Sequence, residues 1–495
     1  MPKSVSDAIA PAYDTPSARY IRGETDGHPA QSGFRLVTNS TNALMSRIVL
    51  ADHAAHSIDL QYYIFENDAT GRLVAQRLIA AADRGVRVRM LLDDIHVSDD
   101  CDLFEVLDAH PNIEVRVFNP FPTRNSPAVI KAVQFLMEWR RLNRRMHNKA
   151  FIVDNAAAVI GGRNIGDAYF DARDDSNFSD LDLIAIGPVV TEASNSFDAY
   201  WNSEAAYPVT AFRRRRPTQA DLAHVKDQLA HDARVFAQSD YAQEIFEKLP
   251  NGATADRRGN WYWGPATLVA DQPEKINMEE DNPTLRMGPK VRQMIEGANQ
   301  QILLVSPYFI PGDSGVQTFS ATVQRGVRMR VLTNSLAATD EPAAYAGYAH
   351  YIDPLLHDGI ELYELRPSPG APQNVTARGK SAGISLHAKA VVVDAREVFV
   401  GSMNLDQRSK LLNTEMGIIV DSPELGQAVM KYFERAMTPE NSFRVSLRPN
   451  GRSQETIWSW EDKGKPMSDN SPPGVSRARR LEVRLLGLLP IEGLL

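Results

Sequence analysis

A single cysteine, Cys101, in 495 residues excludes an intrachain disulfide and suits a reducing compartment. No run approaches about 18 uninterrupted apolar residues, so no transmembrane helix is expected. The opening stretch, MPKSVSDAIAPAYDTPSARY, lacks a sustained apolar core and does not read as a signal peptide. A basic excess is lacking too. The net charge is −8, which weighs against a dedicated nucleic-acid binder, so no nucleic-acid partner is expected. The usual zinc-ligand spacings are absent, and neither a metal nor a cofactor is expected. What remains is ordinary for a globular enzyme, with 43% hydrophobic and 23% charged residues. The length allows about two to four domains.

What the chain does have is a repeated motif. H-x-K-x4-D occurs twice, first in RRMHNKAFIVDNAAAVIGGRN and again in SLHAKAVVVDAREVFVGSMN. The first copy supplies His147, Lys149 and Asp154, and the second His387, Lys389 and Asp394. Gly161 and Asn164 follow the first histidine at the same offsets at which Gly401 and Asn404 follow the second. Such a pattern implies two copies of one structural unit, each bringing one histidine to a shared site. AFIVD and AVVVD are short, apolar and β-branched, so they read as buried strands. Residues two apart on a strand share a face, so each His–Lys pair is expected to aim at one pocket from a strand whose end the Asp marks.

These residue types suit attack on phosphorus. One neutral imidazole can form a covalent phosphohistidine, and the other, protonated, can donate to a departing alcohol oxygen. Lys149, Lys389, Asn164 and Asn404 are candidates to hold phosphate oxygens as charge moves, supplying the positive charge that a metal would give. Carboxylates that fix the imidazole tautomers are visible in FSDLDLIAIG, with Asp180 and Asp182, and in LLNTEMGIIV, with Glu415. The candidate catalytic set is therefore His147, Lys149, Asp154, His387, Lys389 and Asp394, with Asn164, Asn404, Asp180 and Glu415 in support. From Asp154 and Asp394, at strand ends, mainly turn and loop hydrogen bonding is expected.

The chain resembles the phospholipase D superfamily, whose hallmark is this doubled motif. Within it the chain is similar to bacterial cardiolipin synthases of the third, peripheral enterobacterial type. DLQYYIFENDATGRL, RLNRRMHNK, GGRNIGDAYF, TNSLAATD, GSMNLDQRS and LLNTEMG carry the likeness, which covers roughly residues 32 to 495. The resemblance implies a phosphatidyltransferase that moves a phosphatidyl group from phosphatidylethanolamine or phosphatidylglycerol to phosphatidylglycerol, with His147 as nucleophile. It also implies phospholipid partners, a membrane surface, and a peripheral position at the cytoplasmic face of the bacterial inner membrane. A helper protein is not identifiable from the chain. Phospholipase D hydrolysis is the alternative; a phosphodiesterase or nuclease, or a non-catalytic membrane scaffold, ranks lower.

The duplication extends beyond the motifs. RGVRVRMLLDD at 84–94 matches RGVRMRVLTNS at 325–335, and NIEVRVFNP at 112–120 matches GIELYELRP at 359–367. Each half opens strand, helix, strand, which predicts an α/β fold: two homologous domains, each a mixed sheet flanked by helices, related by a pseudo-twofold with the active site at their interface. The expected divisions are a flexible segment over 1–31, a first domain over 32–209, a helical linker over 210–285, a second domain over 286–440, and a C-terminal extension over 441–495. Tyr62, Tyr63, Tyr308 and Phe309, on the equivalent first strands, are expected in the core. Arg140, Arg141, Arg144 and Arg145 are candidates to meet anionic headgroups, whereas the run from Arg213 to Arg216 reads as a solvated face. In the tail, Arg477, Arg479, Arg480 and Arg484 interleave with Val483, Leu485, Leu486, Leu488 and Leu489, a basic amphipathic helix that suits either a bilayer interface or docking on the parent domain.

Overall fold

The computed structural model describes residues 4–12, 14–97, 101–121, 137–212, 216–243, 261–277, 282–367, 383–451 and 453–489. Short apolar runs set its frame. Ser57–Tyr62 and Arg87–Asp93 form neighbouring parallel strands, as do Gln301–Val305 and Arg328–Asn334. The motif strands Ala150–Val153 and Ala390–Val393 pair antiparallel with Ser57–Tyr62 and Gln301–Val305.

The first sheet has nine strands, in the order Tyr262–Gly264, Ser32–Val37, Asp182–Ile186, Ala157–Gly161, Ala150–Val153, Ser57–Tyr62, Arg87–Asp93, Ile113–Phe118 and Ala206–Pro208. The second has ten: Ala266–Ala270, Met416–Asp421, Glu397–Gly401, Ala390–Val393, Gln301–Val305, Arg328–Asn334, Glu361–Leu365, Ser442–Asn450, Ser453–Asp462 and Lys465–Asp469. From Ser32–Val37 and Ala266–Ala270 onward the two orders correspond strand for strand. The chain is thus a duplicated mixed α/β structure.

The two-residue period of the strands divides the core. Phe151 and Val153 point to the outer side of the first sheet, where Leu60, Met90 and helices Ser40–His53 and Ala69–Asp83 pack. Ala150 and Ile152 point the other way, into a core shared with Ala390 and Val392 of the second sheet. Val391 and Val393 face the second sheet's own outer core. Helices Pro188–Asn202 and Pro423–Ala436 contribute Phe197, Trp201, Val429 and Phe433 to the shared core. Each sheet therefore covers one face with its own helices and gives the other to the interface between halves.

Several segments differ from the sequence-based expectation. Within the N-terminal segment, residues 4–8 are docked rather than loose. Arg116 and Arg89 are buried guanidiniums, and they draw in the chain by donating to the carbonyls of Ser4 and Ser6. Ser6 and Ala8 amides donate in turn to Asn202 and Asp198. Pro16–Asp26 is a helix capped by Thr15. The 210–285 segment does more than connect: it carries helix Gln219–Ala237, an edge strand of the first sheet and the edge strand Ala266–Ala270 of the second. Strands Ser442–Asn450, Ser453–Asp462 and Lys465–Asp469 extend the second sheet as an antiparallel meander. The tail helix Arg477–Leu486 is docked through Val483 and Leu486, yet Leu481, Leu485, Leu488 and Leu489 stay 52–80% exposed. Of the arginine run, residues 213–215 lie outside the described residues. Among the described residues no helix is long and apolar enough to cross a membrane.

Candidate active site

The two histidines are delivered by a local device used twice. Gly383–Leu386 of the second half pairs in parallel with Ser176–Ser179 of the first, with Leu386 opposite Ser179. The next residues along the two strands are His387 and Asp180, and His387 Nδ1 lies 2.6 Å from Asp180 Oδ2. On the other side Met146 bridges Thr414 in parallel. The next residues are His147 and Glu415, and His147 Nδ1 lies 2.9 Å from Glu415 Oε2. Each imidazole is thus held by a carboxylate from the opposite half, the signature of the pseudo-twofold. With Nδ1 taken, Nε2 is the nitrogen left to react.

His147 and Lys149 lie just before strand Ala150–Val153, not on it, because the segment leaves its own sheet to pair with Thr414. His387 and Lys389 likewise precede Ala390–Val393. Both histidines line a cavity of about 340 Å³ between the halves, with Asn164 and Asn404 beside them. Asn164 donates to the Tyr169 hydroxyl at 2.9 Å, whereas the buried amide oxygen of Asn404 has no partner among the described residues. Lys149 and Lys389 are buried beside the histidines and do not line that cavity. Each ammonium donates to the carbonyl of its own histidine, at 2.7 and 2.5 Å, and Lys389 Nζ also lies 3.0 Å from His387 Nδ1.

Electrostatics separate the roles of these groups. Burial, reinforced by the neighbouring lysines, pushes both imidazoles below their ordinary range against the pull of their carboxylates. Burial works against ionising Asp180 and Glu415, yet each is held below the usual carboxylate range by its histidine and a lysine. Burial also lowers Lys149 well below its ordinary value and brings Lys389 down to about 8. At neutral pH the site therefore holds neutral imidazoles against ionised carboxylates.

The motif aspartates are elsewhere. Asp154 accepts from the amides of Ala55, His56 and Ser57, and Asp394 from those of Asn299, Gln300 and Gln301. Both adopt a left-handed backbone, φ 52°, in the turn after the motif strand. They tie that turn to the start of the adjacent antiparallel strand and do not border the cavity. Asp182, the other carboxylate of FSDLD, pairs with buried Arg47 at 3.1 Å. The matched glycines are explained by close approach: a Cβ on Gly161 would lie 2.4 Å from the Leu181 carbonyl, and one on Gly401 2.3 Å from that of Met416.

Some site residues escape sequence reasoning. Tyr62 and Phe309 are core, as expected, but Tyr63 and Tyr308 line the cavity instead. The Tyr63 ring meets His147 edge-on at 5.0 Å, and Tyr169 meets His387 at 5.2 Å. Arg408 also borders the cavity while donating to Asn143 at 2.8 Å across the interface. Its neighbourhood in GSMNLDQRS offered a signal, but not the direction of the side chain. Arg141, Arg144 and Arg145 are engaged within the protein, Arg145 in a fully buried pair with Asp93. Among the described residues no group of three His, Cys, Asp or Glu side chains gathers as a metal site.

The family model for "Cardiolipin synthase, PLD-like domain" matches residues 48–201 and 291–437. Cardiolipin synthase C of Escherichia coli is 37% identical over 94% of this chain and 97% of that protein. Cardiolipin synthase A of Yersinia pestis is 23% identical over 79% of this chain and 66% of that protein. Among solved structures, phosphatidylserine synthase of Haemophilus influenzae aligns over 96% of this chain and 100% of that one, with TM-score 0.59 and 12% identity, a likeness of fold.

Proposed function

The chain belongs to the family described as Cardiolipin synthase, PLD-like domain, within the phospholipase D superfamily, and we propose that it is a phosphatidyltransferase that makes cardiolipin. One observation carries this: two histidines face one cavity, each with Nδ1 held by a carboxylate of the opposite half. In the first step Nε2 of His147 attacks the phosphorus of phosphatidylethanolamine or phosphatidylglycerol. A P–N bond forms, the P–O bond to the headgroup breaks, and His387 gives its proton to the departing oxygen. In the second step, neutral His387 takes the proton of a phosphatidylglycerol hydroxyl as that oxygen attacks the phosphorus. The P–N bond breaks, cardiolipin leaves and His147 is restored. The substrate's anionic phosphodiester raises the proton affinity of His387, which takes up a proton from solvent as the substrate binds. Lys149, Lys389, Asn164 and Asn404 hold the phosphate oxygens, with Arg408 as a further cation at the rim.

On this reading residues 32–209 and 286–440 are the two phospholipase D-like domains, linked by 210–285 and extended by 441–495. The enzyme works as a peripheral protein at the cytoplasmic face of the bacterial inner membrane. The support is the tail helix, whose exposed Leu481, Leu485, Leu488 and Leu489 lie among Arg477, Arg479, Arg480 and Arg484.

Incubation of the purified protein with labelled phosphatidylglycerol and phosphatidylethanolamine, followed by lipid separation, tests the proposal. Labelled cardiolipin is expected, and the label that it carries identifies the donor. Phosphatidic acid as sole product would make the chain a hydrolase. Flotation with anionic liposomes tests the surface: replacing Leu481, Leu485 and Leu488 by Ser is expected to lower the floated fraction, and equal flotation would move the contact elsewhere.

A further inference from the structure

A second cavity, of about 370 Å³, opens beside the catalytic one, and Asn404 and Asp406 line both. Its walls are largely apolar: Met287, Val291 and Ile295 on one side, Ile310 and Phe319 on another, Met403 at the junction. Arg286, Arg292 and Lys410 stand around it. The volume falls in the range of small-ligand sites, roughly 300–1,000 Å³.

We propose that this cavity holds an acyl chain of the phospholipid whose phosphodiester lies between His147 and His387. The inference rests on the transferase reading and adds to it where the apolar part of the substrate goes. Three observations select a lipid chain as occupant. The cavity adjoins the phosphate site at Asn404, which lines both and whose buried amide oxygen has no partner among the described residues. The apolar wall suits a hydrocarbon, while the surrounding cations suit the phosphates of an anionic lipid surface. Finally, the wall belongs to one half only. In the first half, helix Gln219–Ala237 lies across helix Ala69–Asp83, fastened by an Arg72–Asp232 ion pair of 2.5 Å. In the second half the equivalent helix, Gly312–Gln324, borders the cavity instead. The lipid chain therefore leaves the symmetric site on the side of the second half.

Photolabelling of the full-length protein with phosphatidylglycerol that carries a diazirine near the end of one acyl chain tests this directly. Adducts are expected on the segments Gly288–Glu296 and Gly312–Gln324. Adducts only outside these segments and residues 403–410 would overturn the proposal, whether or not cardiolipin is formed. Labelling there without cardiolipin formation would uphold the groove and sink the transferase reading. As an independent measure, Thr318→Trp narrows the groove away from the histidines. The ratio of kcat/KM for dioleoyl over dihexanoyl phosphatidylglycerol is expected to fall at least tenfold, since each methylene excluded is worth about fourfold. An unchanged ratio in a folded variant would also overturn it.

Discussion

His147 with Glu415 and His387 with Asp180 are built by one register and surrounded differently. Behind Asp180 stands Gly162, where a Cβ would lie 2.1 Å from Oδ1, so the short carboxylate occupies the space of a missing side chain. The equivalent residue behind Glu415 is Ser402, whose hydroxyl donates to Oε2 at 2.5 Å, and Ser409 donates to Oε1 at 2.8 Å. Glu415 is fixed from further back as well: its amide donates to Asp271, which is ion-paired with buried Lys275 at 2.7 Å. On the other side the Lys389 ammonium approaches the imidazole nitrogen itself, while Lys149 donates to the His147 carbonyl and faces the Tyr63 ring at 5.5 Å. Duplication thus supplies matched geometry, and later divergence supplies unequal electrostatics. Both imidazoles are lowered, His147 to about 4 and His387, beside the closer ammonium, to about 3, so on the proposed mechanism His387 relies on the negative charge of the substrate to be protonated.

The sharpest way to break the comparison is to remove each histidine and change the leaving group. His147→Ala is expected to lose activity by about 10⁶, the scale of removing a nucleophile from a coupled unit. His387→Ala is expected to lose about 10²–10⁴, the scale of acid–base catalysis. A phosphatidyl p-nitrophenol donor, which leaves without a proton, should restore the first half-reaction to His387→Ala and not to His147→Ala. Rescue of His147→Ala instead would exchange the two roles. Next come the carboxylates. Asp180→Asn is expected to cost about 10³–10⁴ by presenting the wrong tautomer, and Glu415→Gln somewhat less because its two serine contacts persist. Equal losses in kcat would remove the asymmetry claimed for them.

Smaller effects sharpen the same contrast. The Lys389 ammonium is charged below about 8 and loses its charge as pH rises through that value. Activity should therefore fall on an alkaline limb near pH 8, and Lys389→Arg should move that limb upward in a kcat/KM profile. Smallest are the motif aspartates. Asp154→Asn should cost about 1–3 kcal/mol of stability through weakened amide contacts, with turnover per folded molecule retained. Asp394→Asn should cost less, because that carboxylate is more exposed. Backbone hydrogen bonds lower Asp394 despite partial burial, so its contribution is present above the ordinary 3.8 and is lost as pH falls through the lowered value. Acid melting curves of both variants check this, and a strong kcat defect in either would return the aspartates to the chemistry.

The frame and the reacting groups were legible because they are written locally. AFIVD and AVVVD carry strand period and burial in five letters, and the offsets to Gly161 and Asn164 repeat in the second copy. Contacts that depend on the interface were not. Asp180 and Glu415 stood out as carboxylates, but which histidine each holds follows from the pairing of 383–386 with 176–179. The N-terminal segment read as loose from its polar composition; its docking is dictated by Arg89 and Arg116, far along the chain, which needed carbonyl partners when buried. Tyr63 reads like Tyr62 in sequence, yet the strand ends between them, and one ring enters the core while the other meets His147.

The crossed carboxylates also bear on how the chain comes into being. Glu415 follows His147 by 268 residues. At about 5–20 residues per second on the ribosome, the histidine waits roughly 13–54 s for the group that orients it. His387 emerges 207 residues after Asp180 and finds its partner already made. During that interval the nascent chain carries an imidazole with no carboxylate to fix its tautomer. The crossed pairs of the site are therefore complete only once Glu415 has been made.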